Sequence, residues 1–432
     1  MATFAPWESR VPQPARPSVA DMVFRSGLFV VAFLSVATSF RPFPNLGAAQ
    51  QISDAGDPLN QIGFSALFLA IGGWLCFNNP RRLMPLLRPA LLALLGWCFI
   101  TVFTSWEPSL AARRLAFALV VMSIAAMLLL LPKNLRHFGD LLAAVALITL
   151  AACYLGVLLV PNLAVHQASD LVEPALAGDW RGMFAHKNDA GSTMVLFIFI
   201  GLFVARVRNL ILGALIVTLA ATFLIFTHSK TPLTLVLPVL LISVIIVRCA
   251  RPAVGIAVAL VFVAVIAVFS IGSIFFEPIR DVLYAILPDP SFTGRTDIWQ
   301  YAVQHVAQRP IMGYGFAAFW GSKEVAYGMG SSIWENAAAQ AHNSYINLAL
   351  TIGIPGSALA VLWLVVLPLV DYYRSATEPA NFALRILFLR TCLYGACASS
   401  FESVFFQMGA AWFLLLIAVF GLRQISVMRL QA

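Results

Sequence analysis

The chain has 432 residues, of which 61% are hydrophobic and only 11% are charged, and its mean hydropathy is +0.88. Ordinary soluble domains carry roughly 25% charged residues, so this composition excludes a soluble globular protein and indicates an integral membrane protein. The formal charge of +8 does not indicate nucleic-acid binding, because the sidedness of charges matters more than their sum in a membrane protein. The six cysteines have no metal-ligand spacing, so neither a disulfide framework nor a zinc site is indicated.

Apolar runs long enough to cross a bilayer recur along the chain. Residues 1–22 are rich in proline, carry Arg10 and Arg16, and have no signal-peptide pattern, which predicts a disordered cytoplasmic tail. About twelve segments then have the length that ~30 Å of hydrocarbon requires, namely residues 23–40, 61–78, 89–106, 114–131, 140–160, 190–206, 209–227, 232–247, 252–276, 343–370, 384–401 and 404–422. We predict an all-α polytopic integral membrane protein with transmembrane helices 1–9 over 23–276, one large periplasmic loop over 277–341, transmembrane helices 10–12 over 342–423, and a cytoplasmic tail over 424–432.

The basic residues of the turns predict the orientation. With the first tail inside, alternate turns are rich in Lys and Arg, as the positive-inside bias expects; these are Arg81, Arg82, Arg88, Lys133, Arg136, Arg206, Arg208, Arg248, Arg251, Arg374, Arg423 and Arg429. The opposite, outer turns hold fewer cations, which are Arg41, Arg113, Arg114, Arg181, Lys187, Lys230, Arg280, Arg295, Arg309 and Lys323. Because the bias disfavours cations on that side, the outer ones require a functional explanation.

Several outer cations lie in short polar motifs beside a span. The motifs contain Arg181, His186, Lys187 and Asn188 in RGMFAHKNDAG before the sixth span, His228, Ser229 and Lys230 in FTHSKTPL before the eighth, and Arg295 and His342 in the large loop. Four segments thus bring cations and imidazoles to one face of the membrane. This arrangement is expected of a site for an anionic ligand.

Within the large loop, residues 296–308 have the periodicity of a helix outside the bilayer. Thr296 or Asp297 can cap this helix, and Arg309 followed by proline ends it. Arg295 then stands at the helix N-terminus, where free backbone N–H groups and the macrodipole favour an anion. The next segment, MGYGFAAFW, is rich in glycine and aromatic residues, whose rings could stack on sugars or form an interfacial belt.

These motifs, in this order, resemble the O-antigen ligase and polymerase superfamily of bacterial inner-membrane proteins. The matching pieces are RGMFAHKN, the SK of FTHSKTPL, GRTDIW with RPIMGYGF, and AHNSYINLALTIGIPG, and together they cover residues 180–357. The resemblance implies a GT-C-like membrane fold and an undecaprenyl-diphosphate-linked oligosaccharide as substrate. It also implies that His342, Arg295 and Lys230 take part in transfer. Ligases of the family typically carry arginine at the position of Lys230, and HKN and SKT look more like the exopolysaccharide polymerase branch.

Glycan transfer from a lipid diphosphate needs cations for the leaving group and usually a base near the acceptor hydroxyl. Arg295, Lys230 and Arg181 suit the diphosphate, and His342 suits the base. Further residues are expected along a substrate channel, namely His186, Lys187, Asn188, Asn343 and Arg114. The outer loops contain no carboxylate pair, which favours a metal-independent transfer without cofactors. Glu402, in the last outer turn, is expected to be solvated.

Structural interpretations of the same residues remain open. His342 and Asn343 could cap a helix that re-enters the membrane, Lys230 could snorkel to the interface, and Arg114 could be an interfacial anchor. Three functions also remain open, which are a polymerase of lipid-linked repeat units for exopolysaccharide biosynthesis, a ligase with a different acceptor, and a transporter or flippase of the same lipid. Transporters place ionisable residues at mid-bilayer within repeated halves. In this chain the ionisable motif residues lie on one outer face instead, which favours the enzyme. Membrane lipids, chain-length regulators and export proteins are the other expected partners, and nucleic acid is not.

Overall fold

The computed structural model describes residues 18–47, 57–78, 80–171, 173–286, 292, 294–320, 322, 340–375 and 381–427. Several predictions fall outside these residues. They concern the tail up to residue 17, the last residues from 428 onward, and the loop stretches 287–291 and 323–339, with Arg10, Arg16, Lys323 and Arg429.

The described residues form helices joined by short turns. The helices are α1 (Val19–Thr38), α2 (Pro58–Asn78), α3 (Pro89–Phe103), α4 (Pro108–Leu128), α5 (Leu135–Leu159), α6 (Pro161–Ala164), α7 (Lys187–Val207), α8 (Leu210–Phe226), α9 (Lys230–Arg248), α10 (Pro252–Phe275), α11 (Glu277–Ile286), α12 (Arg295–Gln308), α13 (Ser344–Arg374), α14 (Phe382–Ala398) and α15 (Ala410–Val427). Among the described residues, β structure is limited to one isolated antiparallel bridge between Val165 and Trp180.

Each of the twelve predicted spans overlaps one of these helices. Nine helices of the described chain are long and apolar enough to cross a membrane, whereas α3 and α8 are apolar but shorter. The prediction of an all-α polytopic membrane protein is therefore confirmed. Two predicted boundaries were wrong, because α1 already begins at Val19 within the predicted first tail and α15 extends to Val427 into the predicted last one.

The bundle has buried central helices and lipid-exposed outer ones. In the most apolar stretch of α7 and of α15, 78% of the residues are buried, against 22% in α2 and α10. Small residues allow α7 and α8 to approach closely, since a Cβ atom on Gly213 would lie 2.4 Å from the backbone nitrogen of Ala205. Such close backbone contact is a common source of helix association in lipid, where the hydrophobic effect contributes little.

A break in α13 provides a docking place for the chain after α12. Gly353 has a φ of 70° and a ψ of 174°, a conformation that interrupts the helix and frees backbone carbonyl groups. The backbone N–H groups of Tyr314 and Gly315 donate to the carbonyls of Leu350 and Thr351 at 3.0 and 2.9 Å. A Cβ atom on Gly353 would lie 1.9 Å from the carbonyl oxygen of Ile311, so the contact requires glycine there.

Basic residues of the predicted cytoplasmic turns meet at one end of the bundle. Arg88 forms a bidentate pair with Asp371 of α13, at 2.6 and 3.2 Å. Arg423 of α15 donates to the carbonyl of Pro85 at 2.9 Å. These contacts tie the ends of α13 and α15 to the chain before α3, and they leave the motif residues at the other end.

Candidate functional site

Glu402 is the centre of a cluster of polar side chains between α14 and α15. Its Oε1 accepts hydrogen bonds from Nη2 of Arg295 at 2.9 Å and from Nδ2 of Asn188 at 3.0 Å. Its Oε2 lies 3.4 Å from Nδ1 of His342. The side chain is only 13% exposed, so the expectation of a solvated Glu402 was wrong: three elements cover the carboxylate and supply its hydrogen-bond donors.

The surroundings of Glu402 keep its carboxylate ionised. Burial by itself raises the pKa of this group, but the charge of Arg295 and the contact with His342 outweigh burial and lower the pKa to about 2. The carboxylate is therefore negative throughout the neutral range. It can accept a hydrogen bond from a protonated Nδ1 of His342 and can stabilise a positive charge on that ring.

Local backbone geometry directs His342 and Arg295 at this carboxylate. His342 has a φ of 48°, in the left-handed region, directly before the cap of α13. Arg295 is the first residue of α12 and follows Gly294, which has a φ of 77°. The Nη1 of Arg295 also donates to the carbonyl of Phe401, so its guanidinium holds both the backbone and the side chain of the Glu402 turn. The predicted helix after Arg295 is confirmed, although no side chain caps it and the expected cap by Thr296 or Asp297 was wrong.

The His342 ring keeps one nitrogen available. Nδ1 faces Glu402, the side chain is 30% exposed, and among the described residues no hydrogen bond engages Nε2. If Nδ1 carries the proton and donates it to Glu402, Nε2 is unprotonated and can accept a proton from a ligand. The separation of 3.4 Å is long for a hydrogen bond, as is common at sites without bound ligand.

Asn343 caps α13 and does not line a channel. Its side chain is 0% exposed, its Oδ1 accepts from the N–H groups of Tyr345 and Ile346 at 3.1 and 3.2 Å, and its Nδ2 donates to the carbonyl of Ser400 at 2.8 Å. These bonds satisfy free groups at a helix start and join α13 to the Glu402 turn. The channel prediction for Asn343 was wrong because its whole amide is engaged inside the protein.

Arg181 is equally unsuited to the role predicted from the sequence. Its side chain is 0% exposed, and its guanidinium donates to the carbonyls of Phe184 and Pro44 at 3.0 and 2.8 Å. The cation therefore organises the chain before α7. Assigning it to the diphosphate was wrong, because a ligand cannot reach a fully buried group.

The other motif cations at this end form ion pairs. Lys187 lies 2.6 Å from Asp179, which also lies 2.7 Å from Nδ1 of His228. His186 lies 2.8 Å from Glu173; burial opposes its protonation, but Glu173 raises the pKa of His186 overall. The channel roles of His186 and Lys187 stay predictions. Lys230 is exposed at the start of α9.

Arg114 and the aromatic segment after α12 form a small second core. Arg114 donates to the carbonyls of Ala317 and Trp320, so it anchors this segment to α4. Tyr314, Phe319 and Trp320 are 1%, 0% and 5% exposed. Neither the sugar-stacking nor the interfacial-belt interpretation fits these rings, because they pack on one another inside the protein. The contacts of Arg114 likewise indicate an anchoring role instead of the predicted channel role.

The family model described as O-antigen ligase matches residues 193–361. This segment includes Lys230, Arg295 and His342, which the structure brings to one end of the bundle. Over this segment the chain is similar to the O-antigen ligase family. The exopolysaccharide production protein ExoQ of Rhizobium meliloti (strain 1021) is 28% identical over 200 residues, which are 43% of this chain and 45% of that protein. The similarity thus spans less than half the length of this curated relative.

The family-model match does not cover every residue of the polar cluster around Glu402. Asn188 and Glu402 lie outside residues 193–361, and only the packing of α7 and α14 brings them to Arg295. Sequence reasoning missed Glu402; the signal available was an isolated carboxylate between two apolar spans on the basic outer face. Within the described ranges, no three His, Cys, Asp or Glu side chains are grouped so that they could hold a metal ion. Metal independence of the reaction stays a prediction.

Proposed function

We propose that this protein belongs to the O-antigen ligase and polymerase superfamily and is an inner-membrane polysaccharide polymerase. It transfers glycan from an undecaprenyl-diphosphate-linked repeat unit to a sugar hydroxyl on the periplasmic face, for exopolysaccharide biosynthesis. The observation that carries the proposal is the contact of Glu402 with both Arg295 and His342, at 2.9 and 3.4 Å. A base, the carboxylate that orients it and a cation are the parts that such a transfer needs.

His342 acts as the general base in this proposal. Its Nε2 takes the proton of the acceptor hydroxyl while that oxygen attacks the anomeric carbon of the lipid-linked glycan. The bond between this carbon and the diphosphate oxygen breaks, and its electron pair leaves with the lipid diphosphate. Ionised Glu402 accepts the Nδ1 proton in a hydrogen bond, which selects the required tautomer and stabilises the imidazolium that forms.

Arg295 and Lys230 serve the leaving diphosphate. Arg295 is already paired with Glu402 and is 16% exposed, so one edge of its guanidinium holds the carboxylate while a remaining N–H group serves the phosphate. Lys230 is more exposed and supplies a second positive charge from α9. Charge-assisted contacts of this kind are roughly twice as strong as neutral hydrogen bonds. His186, Lys187 and Asn188 stay candidates for the path of the glycan.

The match to a family described as O-antigen ligase favours one alternative, a ligase that uses the same donor and a different acceptor. The name of the exopolysaccharide production relative and Lys230 in place of arginine favour the polymerase. The remaining partners in the proposal are membrane lipids, a chain-length regulator and export proteins. A flippase for the same lipid is the third candidate, and it needs no general base.

The test uses purified full-length protein in nanodiscs with one lipid-linked repeat unit. When neither a second acceptor nor a metal is added, we expect a ladder of longer lipid-linked glycans. Products that form only when a second acceptor is supplied would support the ligase. Movement of the lipid between leaflets without any new glycosidic bond would contradict both enzymes.

A further inference from the structure

Asn188 connects the Glu402 carboxylate to the start of a second helix. It is the second residue of α7, and its Nδ2 donates to Oε1 of Glu402 at 3.0 Å. Its Oδ1 accepts from Oγ of Ser229 at 2.7 Å. Ser229 is 0% exposed and directly precedes Lys230, the first residue of α9. One amide therefore links the carboxylate to the chain that carries a candidate diphosphate ligand.

We propose that Asn188 and Ser229 are positioning residues for the transfer reaction. Ser229 fixes the orientation of the Asn188 amide, and this amide directs the Glu402 carboxylate at His342. The inference rests on the proposed function and assigns to Asn188 a role different from lining the substrate channel.

Hydrogen-bond chemistry allows only one orientation of this amide. An ionised carboxylate accepts hydrogen bonds and donates none, so the Asn188 NH2 group must face Glu402. The hydroxyl of Ser229 then donates to the amide oxygen on the other side. In the reversed orientation the amide oxygen would meet the carboxylate oxygen, and two acceptors would be left in contact.

The same bonds decide which oxygen of Glu402 is left for the base. Asn188 and Arg295 both donate to Oε1, and Oε2 is the oxygen that faces His342. The carboxylate therefore cannot rotate freely about its last bond. Loss of either donor to Oε1 would let Oε2 turn away from the imidazole.

Close packing keeps Asn188 in this position. Its backbone N–H donates to Nδ1 of His186 at 3.1 Å, which holds the start of α7. The next turn of α7 approaches α9 through Gly191, where an added Cβ atom would lie 2.9 Å from Cβ of Ser229. The two helix starts therefore form one rigid unit, and the Asn188 side chain cannot move away without a loss of contacts.

Replacing the amide by a carboxylate tests this role through pH. In Asn188→Asp, two carboxylates face each other and share a proton with a raised apparent pKa. Below that pKa Glu402 is protonated part of the time and cannot orient His342, whereas at higher pH it is ionised. The other charged groups that act on Glu402 are Arg295, His342, His186 and Asp189, and none of them is altered.

The experiment measures glycan elongation in nanodiscs from pH 6 to 9. We expect kcat of Asn188→Asp to fall about 10- to 100-fold at pH 7, with a smaller loss at pH 9. KM should change little, because a residue that acts only by positioning Glu402 makes no contact with the substrate; a large rise in KM would instead support the channel role of Asn188. Ser229→Ala should lower kcat about 3- to 10-fold, as expected for one lost hydrogen bond. Matched controls are Asn209→Asp and Ser270→Ala. Asn209 caps α8 at the other end of the bundle, and the Ser270 hydroxyl donates to the carbonyl of Ala267 within α10.

A second measurement reports the contact without using activity. The double variant Asn188→Asp/Glu402→Gln restores an amide–carboxylate pair, in which position 402 carries the donating amide and position 188 the accepting carboxylate. We expect the double variant to be more stable than the sum of the two single losses predicts, while kcat stays low because no carboxylate then faces His342. If the wild type is active but Asn188→Asp has the wild-type kcat, or loses kcat equally at every pH, this inference is wrong and the proposed function stands. A wild type that forms no glycosidic bond would overturn the proposed function as well.

Discussion

Replacing Glu402 by glutamine tests the central contact of the proposed site. The side chain is nearly isosteric, but it removes the negative charge and places an NH2 group where His342 now finds an acceptor. Such a group favours the imidazole tautomer that carries its proton on Nε2, which cannot act as the base. We expect kcat to fall about 10²- to 10⁴-fold, the range of a general-base contribution, with KM nearly unchanged.

The structure also predicts how much Glu402→Gln lowers the free energy of unfolding. The pKa of Glu402 lies at about 2 instead of 4.5, which at about 1.4 kcal/mol per pKa unit corresponds to on the order of 3 kcal/mol of stabilisation of the ionised form. Because the folded-state pKa is the lower one, this stabilisation is complete above about pH 5 and is lost as the pH falls toward 2. Glu402→Gln should therefore be less stable than wild type at pH 7, and the difference should shrink in acid.

The assay combines elongation of a lipid-linked repeat unit with thermal unfolding of the same nanodisc preparations. Glu277→Gln is the matched control, because Glu277 is 83% exposed and forms an ion pair with Arg280 on the same helix, α11, away from Glu402. A folded Glu402→Gln protein that elongates within a few-fold of the wild-type rate would refute the reasoning. Equal stability of the two proteins at pH 7 would refute the assigned charge contacts.

Three further outcomes are expected. His342→Ala should abolish elongation while single repeat units accumulate on the lipid at the periplasmic face, which analysis of extracted lipids from intact cells can show; units trapped on the cytoplasmic face would indicate a flippase instead. Arg295→Ala and Lys230→Ala should each cost at least ~2 kcal/mol of transition-state stabilisation, or about 30-fold in kcat/KM, and Lys230→Arg should be partly active; wild-type turnover by folded Lys230→Ala would reject its role. In a background without native cysteines, an impermeant maleimide added outside should label Glu277→Cys and not Arg81→Cys, and the reverse pattern would contradict the orientation.

Patterns along the sequence were sufficient for the membrane fold. Span length, hydropathy and the alternation of basic turns are local properties, and they predicted the helices and the end of the bundle that carries the motifs. The periodicity of residues 296–308 predicted α12, which the structure has at Arg295–Gln308. Boundaries shifted by several residues, because apolar runs have no sharp ends where helices leave the bilayer.

The sequence also singled out residue types that could serve an anionic ligand, but not which of them meet. Arg181 and Asn343 looked like site residues, since both are polar and adjacent to a span. In the fold they satisfy backbone groups of their own neighbourhood and are fully buried. The residue types that satisfy free backbone groups at helix starts and turns are the same ones that bind anionic ligands. The local sequence therefore cannot separate the two roles.

Only the tertiary structure decided the place of Glu402. It lies 107 residues from Arg295 and 214 from Asn188 along the chain, and its neighbours in sequence are mostly apolar or small. Its ionisation depends on donors that α7, α12 and the start of α13 bring to it. The membrane requirement to bury apolar length fixed the helices, whereas the partners of this one carboxylate were fixed by how those helices pack.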